Sequence, residues 1–106
     1  MKKIYFTITG MNFYSGSQCL KEGMTVHLEK DPDNKYDREA IRVTMEGLGK
    51  IGYVANSTNT VKGESYSAGR LYDKIGDTAK GKVKYIFDNS AVCVLKTKAQ
   101  KEDVLQ

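Results

Sequence analysis

Two adjacent aromatic residues, Phe13 and Tyr14, stand between Gly10 and Gly16 in a segment that has neither helical nor strand periodicity. Because no regular element is predicted here to bury both rings, we expect at least one ring to face solvent or a cleft. An exposed ring can stack on a nucleic-acid base of any type, since every base has a π-face. The structural alternative is that one ring covers an end of the fold while the other rests on the surface.

The run from Asp31 to Val43 is a second candidate for a functional segment, and it contains Pro32, the only proline of the chain. Proline restricts its own φ and favours extended geometry in the residue before it, while side chains such as Asp33, Asn34 and Asp37 hydrogen-bond nearby backbone amides in turns. The run therefore predicts an ordered loop between two strands. Most loops of this composition are structural connections, and that interpretation stays open on the residues alone.

The residue types do not support catalysis or metal binding. The loop carboxylates lack the calcium-loop pattern, because Lys35 and Tyr36 stand where a ligand and a glycine are needed. One histidine with two isolated cysteines, Cys19 and Cys93, does not provide a zinc ligand set, and both thiols are expected to be reduced. No Ser/His/Asp or Cys/His set is placed by a motif. We therefore expect a protein without enzymatic activity and without a metal.

Two glycine-rich segments approach phosphate-binding motifs without satisfying them. Gly47, Gly49 and Gly52 have the spacing of the dinucleotide fingerprint, but they lead into a strand rather than a helix. We expect Gly52 to mark a bulge or a close approach of the backbone within a curved sheet instead. Residues 76–82 resemble a P-loop, yet Val83 stands where Ser or Thr must bind magnesium. No cofactor is expected.

Hydrophobic periodicity predicts the elements that position these residues. Period-two alternation indicates six short strands, at residues 3–9, 24–29, 40–45, 51–54, 80–87 and 91–95. A helix capped by Ser67 should run from Ala68 to Ile75 and close at Gly76. This order predicts an all-β barrel with helical caps, or an α+β domain dominated by its sheet.

Three lysines alternate with apolar residues in the fifth predicted strand. The lysines are Lys80, Lys82 and Lys84, and the apolar residues are Val83, Tyr85 and Phe87. Because side chains alternate between the faces of a strand, the pattern predicts an exposed row of ammonium groups opposite a buried apolar face. The row is either a solvated surface or a track for phosphates.

Size and charge suit one domain with an anionic partner. The chain has 106 residues and a formal charge of +4, and the half after residue 54 is the more basic, with 9 basic and 6 acidic side chains. No apolar run is long enough to span a bilayer, and no signal peptide follows Met1. We therefore expect a cytoplasmic protein, associated with the nucleoid if it binds DNA.

Four segments occur in an order that resembles the HIRAN domain, the small module at the N-terminus of helicase-like transcription factor and the Rad5-type repair ATPases. They are residues 10–16, 23–28, 31–43 and 51–54. The resemblance implies an OB-like six-stranded β-barrel with one or two short capping helices. We expect this barrel over residues 1–98, followed by a charged tail over residues 99–106.

HIRAN domains of the helicase-like type bind single-stranded DNA at a free 3′ end, so the resemblance implies a role in DNA repair or replication-fork processing. Carried over by position, Tyr36 and Phe13 would sandwich the terminal base, and Asp37 would accept a hydrogen bond from the 3′-hydroxyl. The implied pocket-lining residues are Asn12, Tyr14, Asn34, Tyr53 and Asn56.

Two positions depart from the family pattern and weaken the implied grip on phosphate. Asn12 stands where helicase-like members can carry arginine, and Asn56 where they can carry lysine. Lys50 or the lysines of the fifth strand would have to supply the missing charge. The chain has no ATPase segment, so a helicase or nuclease acting in trans is the partner that this interpretation implies. The alternative is a protein-interaction or structural module that has the barrel without the DNA pocket.

Overall fold

Six antiparallel strands close into a barrel. The computed structural model describes residues 3–10, 20–57, 63, 65–87 and 89–96. Within these ranges the strands pair around the barrel in the order β1-β4-β3-β2-β5-β6. Their bounds are β1 Tyr5–Thr9, β2 Thr25–Lys30, β3 Ile41–Met45, β4 Gly49–Val54, β5 Thr78–Ile86 and β6 Ala91–Lys96, with one short helix, α1, at Ala68–Tyr72. The predicted β-dominated, six-stranded barrel is confirmed.

The core follows from the period-two alternation. In β2 and β3 every second residue is buried, so Val26 and Leu28 lie beside Ile41 and Val43 of the neighbouring strand on the inner face of the barrel. The largest inward side chains come from all six strands and α1, and they include Phe6, Ile8, Leu28, Ile41, Ile51, Leu71, Val83 and Leu95. Burial of a large aliphatic or aromatic side chain contributes about 1.5–3 kcal/mol.

The helix is shorter than predicted. Ser67 caps it as expected, because its hydroxyl accepts a hydrogen bond from the backbone N–H of Arg70. The helix ends at Tyr72 rather than at Ile75, since the chain turns there towards the end of β2. Lys30 fixes this turn: its ammonium donates to the carbonyl of Ile75 at 2.9 Å, and its backbone N–H donates to the carbonyl of Asp77 at 3.0 Å.

The first strand is buried on both sides. Phe6 and Ile8 face the interior as predicted, but Thr7 on the outer face is also fully buried. The segment before α1 covers it, since Tyr66 forms a parallel bridge with Phe6 and the hydroxyls of Thr7 and Ser65 lie 2.7 Å apart. This contact holds α1 against the outside of the barrel.

A bulge in β5 contradicts the prediction of one buried apolar face for that strand. Val83 pairs with Cys93, but Tyr85 pairs with Val92, so Lys84 is an extra residue without a partner position. The extra residue reverses the side on which the following side chains lie. As a result Tyr85 is 59% and Phe87 is 47% exposed, while Lys84 is half-buried.

The bulge expected at Gly52 is confirmed. Val43 pairs with Gly52 and Thr44 with Lys50, so Ile51 is the extra residue of β4. The preceding hairpin turns through Gly47 and Gly49, which have φ values of +86° and +75°. These left-handed values favour glycine over residues that carry a Cβ atom.

Cys93 is a free, fully buried cysteine in β6. Burial raises the pKa of its thiol to about 12, so the thiol is protonated and unreactive near neutral pH. Cys19 lies outside the described residues.

In the described part of the chain, no helix combines the length and the apolar character needed to cross a bilayer.

Gly81 in β5 should not tolerate a larger residue. A Cβ atom at this position would lie 2.7 Å from Cζ of Phe6 and 3.2 Å from the carbonyl oxygen of Val94, both within the packed interior. We expect Gly81→Ala to lower the free energy of unfolding by about 1–3 kcal/mol, the usual cost of overpacking. Urea unfolding followed by circular dichroism measures this change.

Gly76→Ala is the matched control, because a Cβ atom there would have no neighbour within 4 Å. It should leave the stability unchanged or slightly raised, by up to about 1 kcal/mol, through a less flexible unfolded chain. Equal stability of the two variants would contradict the packing of Phe6 against Gly81.

Candidate nucleic-acid interface

The loop between β2 and β3, residues 31–40 and here called the signature loop, is organised by Asn34. Its side-chain oxygen accepts hydrogen bonds from the backbone N–H groups of Tyr36 at 2.9 Å and Asp37 at 3.1 Å. Its backbone N–H donates to the carbonyl of Asp31 at 3.1 Å. Asp31 and Ala40 close the base of the loop through a 2.9 Å backbone hydrogen bond. The predicted hydrogen bonding of loop side chains to backbone amides is confirmed for Asn34 and Asp37, whereas Asp33 makes no such bond within the described residues.

Asp37 presents a carboxylate that is held in place from two sides. Oδ1 accepts a hydrogen bond from the backbone N–H of Glu39 at 2.9 Å, and Oδ2 accepts one from the side-chain amide of Asn56 at 2.8 Å. A carboxylate has about four lone-pair sites, so two donors leave acceptor capacity for a ligand. The geometry therefore provides a fixed acceptor for a hydroxyl or amine.

Asn56 connects the signature loop to α1. While its Nδ2 donates to Asp37, its Oδ1 accepts a hydrogen bond from the backbone N–H of Gly69 at 2.8 Å. The residue before it, Ala55, accepts a hydrogen bond from the N–H of Ala68 at 2.9 Å. Asn56 thus positions Asp37, a role that sequence reasoning missed because Asp37 and Gly69 are far from Asn56 along the chain.

Gly69 faces the flexible end of the Glu39 side chain at this junction. A Cβ atom would lie 2.7 Å from Oε1 of Glu39 and 3.4 Å from Oδ1 of Asn56. Glu39 follows Asp37 in the signature loop, so α1 and the loop approach each other closely. No sequence signal marks this glycine as different from the others.

Tyr36 is the most exposed large hydrophobic residue of the described chain, with 95% of its surface accessible. Its backbone is fixed by Asn34, while its ring packs on nothing in the described residues. An aromatic ring on an ordered backbone is a suitable platform for stacking.

Tyr53 and Lys50 form the adjoining part of the surface on β4. Tyr53 pairs with Thr9 on one side and with Arg42 on the other. The ammonium of Lys50 lies 3.3 Å from the Tyr53 hydroxyl and 5.0 Å from its ring centroid. Arg42 is ion-paired with Glu29 at 3.2 Å. Lys50 is therefore the cation that lies against Tyr53.

The predicted site residues fall into three groups. Asn34, Tyr36, Asp37 and Asn56 come together through hydrogen bonds or sequence adjacency, and Tyr53 lies three residues before Asn56 in the chain. Asn12, Phe13 and Tyr14 lie outside the described residues. Lys80 and Lys82 project from β5 and make no hydrogen bond or ion pair to the signature loop within the described ranges.

No metal site accompanies the loop in the described residues. No group of three or more His, Cys, Asp or Glu side chains is arranged to hold a metal ion there. A groove of about 430 Å³ lies elsewhere, beside the β5 bulge, and its lining is Glu22, Gly23, Lys82, Val83, Lys84 and Tyr85. The signature loop thus offers an open surface with one ring and one carboxylate.

Replacing Asn56 by aspartate should separate its two roles. Asn56→Asp keeps an oxygen to accept from Gly69 but puts a second carboxylate 2.8 Å from Asp37. We expect it to be less stable than the unmodified protein at pH 7 by about 1 kcal/mol, the size of a solvent-exposed charge repulsion, whereas Asn56→Ala loses both hydrogen bonds at every pH. The difference should disappear below about pH 4, where carboxyl groups are protonated.

Urea unfolding at pH 7 and at low pH measures both variants against the unmodified protein. If Asn56→Asp were as stable as the unmodified protein at pH 7, Asn56 would not hold the Asp37 carboxylate.

The family of the chain emerges from comparison with known proteins. The HIRAN domain model matches residues 1–100. Among solved structures, a protein from Lactobacillus plantarum is 22% identical with a TM-score of 0.61, and the match covers 89% of this chain and 93% of that one. The HIRAN domain of human HLTF is 21% identical with a TM-score of 0.58, and the match covers 94% of this chain and 81% of that one.

No curated protein sequence matches the chain. The two structural similarities show a shared barrel fold, and the family match extends over nearly the whole length. The order of strands, the signature loop between β2 and β3 and the family match together assign this chain to the HIRAN domain family.

Proposed function

We propose that this protein binds single-stranded DNA and holds a free 3′ end at Tyr36 and Asp37. One observation carries the proposal: a fully accessible ring lies next to a carboxylate that is fixed by two donors and still able to accept. HIRAN domains act as binding modules rather than enzymes, and the family is known from HLTF for DNA 3′-end binding.

The two residues have different tasks. Tyr36 stacks on the terminal base. The face of that base is accessible only when the base has left a duplex. Phe13 is the ring that would cover the other face of the base, as the family resemblance implies. Asp37 accepts a hydrogen bond from the terminal 3′-hydroxyl, for which its anchored oxygens have remaining lone pairs.

The remaining family positions support the terminal nucleotide. Asn34 holds the backbone of Tyr36 and Asp37, while Asn56 orients the carboxylate instead of contributing a charge. Tyr53 with Lys50 lines the adjoining surface, and Asn12 and Tyr14 complete the proposed pocket. Lys50, beside Tyr53, is the proposed phosphate contact nearest the terminal nucleotide. Lys80 and Lys82 are proposed contacts to phosphates farther along the strand, and Lys84 is displaced from their face by the β5 bulge. These lysines would compensate for asparagine at positions 12 and 56.

A function in DNA repair or replication-fork processing fits this specificity, because free 3′ ends are exposed in both processes. The protein would act in the cytoplasm at the nucleoid, with a helicase or nuclease supplying any remodelling of DNA. A second candidate is a protein-interaction module. It is favoured by the exposed apolar residues Tyr85, Ile86 and Phe87 at the β5–β6 hairpin.

Single-stranded DNA should bind better than blunt duplex, and Tyr36 should account for much of the difference. We expect Tyr36→Ala to weaken single-strand binding by about 1–3 kcal/mol, the usual contribution of one base–aromatic stack. Fluorescence anisotropy with labelled oligonucleotides at low salt measures the affinities.

Tyr85→Ala is the matched control, because it removes another exposed tyrosine, which lies on β5 outside the signature loop. It should leave DNA affinity nearly unchanged. Equal binding of single strand and duplex, or an equal effect of the two variants, would favour the interaction-module function.

Asp37 should distinguish a terminal hydroxyl from a terminal phosphate. A carboxylate accepts a hydrogen bond from a hydroxyl and repels a phosphate, so a 3′-phosphorylated strand should bind several-fold or more weakly. Hydrogen bonds to charged groups contribute about 1.5–3 kcal/mol, which sets the expected scale of the preference. Asp37→Ala should abolish it.

Asp33→Ala is the control for loss of a loop carboxylate, because Asp33 is exposed in the same loop. It should retain the preference for the hydroxyl. Circular dichroism and melting of each sample show whether the variants are folded. A folded Asp37→Ala protein that still prefers the 3′-hydroxyl would disprove the role of Asp37.

A further inference from the structure

The strand registers place basic side chains from several strands in one row across the barrel. Lys50 on β4 pairs with Thr44 on β3, Thr44 with His27 on β2, His27 with Lys80 on β5, and Lys80 with Lys96 on β6. These five residues, here called the cross-strand row, are successive partners across five strands. The lysines are far apart in the sequence, so the row arises only from the pairing.

The row lies on the outer face of the barrel. Its sequence neighbours, such as Val26, Leu28 and Leu95, are buried, so the alternation within each strand turns the row outward. Lys80 and Lys96 are exposed, and the other three members are half-buried. The surface is therefore accessible along its length.

No acidic side chain belongs to the row. Glu29, the acidic residue on the same face of β2, is ion-paired with Arg42 at 3.2 Å. Within the described ranges, neither Lys80 nor Lys96 forms a salt bridge. Their charges are thus not neutralised by a neighbouring carboxylate among the described residues.

Lys80 and Lys96 are directly opposite each other, an arrangement of like charges that destabilises a sheet. A bound anion between them would relieve this repulsion. The row covers four inter-strand steps of about 4.8 Å, or about 19 Å in all. That length exceeds a single phosphate and fits a chain of phosphates.

One end of the row adjoins the candidate site. Lys50 lies against Tyr53, with its ammonium 3.3 Å from the tyrosine hydroxyl. Tyr53 stands three residues before Asn56, whose amide holds Asp37. A strand that ends at Asp37 would therefore reach the row by passing Tyr53.

We infer that the cross-strand row binds the phosphodiester backbone of the single strand whose 3′ end lies at Tyr36 and Asp37. This inference rests on the proposed function. The DNA then runs around the barrel, across β3, β2, β5 and β6, rather than along β5. Lys82 borders this path, and Lys84 is displaced from it by the β5 bulge.

The test compares Lys80→Gln/Lys96→Gln with Lys21→Gln/Lys74→Gln. Both double variants remove two charges from exposed lysines, but Lys21 and Lys74 are not in the row. Each protein is titrated with a single strand of about 12 nucleotides, within the site sizes of OB-fold barrels. A dinucleotide with a free 3′-hydroxyl, too short to follow the row, tests the end site alone.

For the longer strand at low salt, Lys80→Gln/Lys96→Gln should bind about ten-fold or more weakly. The slope of its log K against log salt concentration should be less steep by about 1.4, since each lost phosphate contact removes roughly 0.7 from the slope. Dinucleotide binding should be unchanged, and the control variant should behave like the unmodified protein. The row variant should melt no lower than the unmodified protein, because one repulsion is removed.

The outcomes separate the inference from the proposed function. An unchanged affinity and salt slope in the row variant, with the 3′-hydroxyl preference intact, would overturn the inference alone. A second outcome is that the row variant binds the longer strand more weakly, but the unmodified protein shows no preference for a 3′-hydroxyl. This outcome would support a backbone-binding row and overturn the end site. Equal effects of the two double variants, or no binding of the longer strand, would also overturn the inference.

Discussion

The side-chain amide of Asn56 is the contact on which the geometry of the candidate site depends. It donates to the Asp37 carboxylate and accepts from the Gly69 amide, so it joins the signature loop to α1. Without this bridge, Asp37 would retain one donor, the amide of Glu39. Asn56 is thus a neutral residue that orients a carboxylate. In the proposed function, the cations that contact phosphate therefore come from other parts of the barrel.

Closure of the barrel determines where those cations lie. Because β2 pairs with both β3 and β5, His27 becomes a neighbour of Lys80, although the two are far apart in the sequence. Two bulges then select which side chains point outward. The extra residue Ile51 separates Lys50 from Gly52 in β4, and the extra residue Lys84 exposes Tyr85 in β5. The same strands thus build the hydrophobic core and arrange a basic outer surface.

Local features of the structure could be predicted from the sequence, and non-local features could not. The alternation of β2 and β3, the Ser67 cap and the hydrogen bonding of Asn34 follow from neighbouring residues, and all three are confirmed. The β5 bulge depends on the register with β6, so the prediction of Tyr85 and Phe87 in a buried face was wrong. The bridge from Asn56 to Gly69 depends on the docking of α1 and left no signal in the residue pattern.

The most direct test of the account is an NMR titration of the isotopically labelled protein with a short single strand that ends in a 3′-hydroxyl. The account predicts shifts of the Glu39 amide signal and of the Asn56 side-chain amide, because a hydroxyl bound to Asp37 shares its carboxylate with these two donors. The Tyr36 and Asp37 amide signals should shift as well, because these residues contact the terminal base and the hydroxyl. A 3′-phosphorylated strand should shift them much less. Unchanged signals from the signature loop, or shifts confined to Tyr85, Ile86 and Phe87, would contradict it.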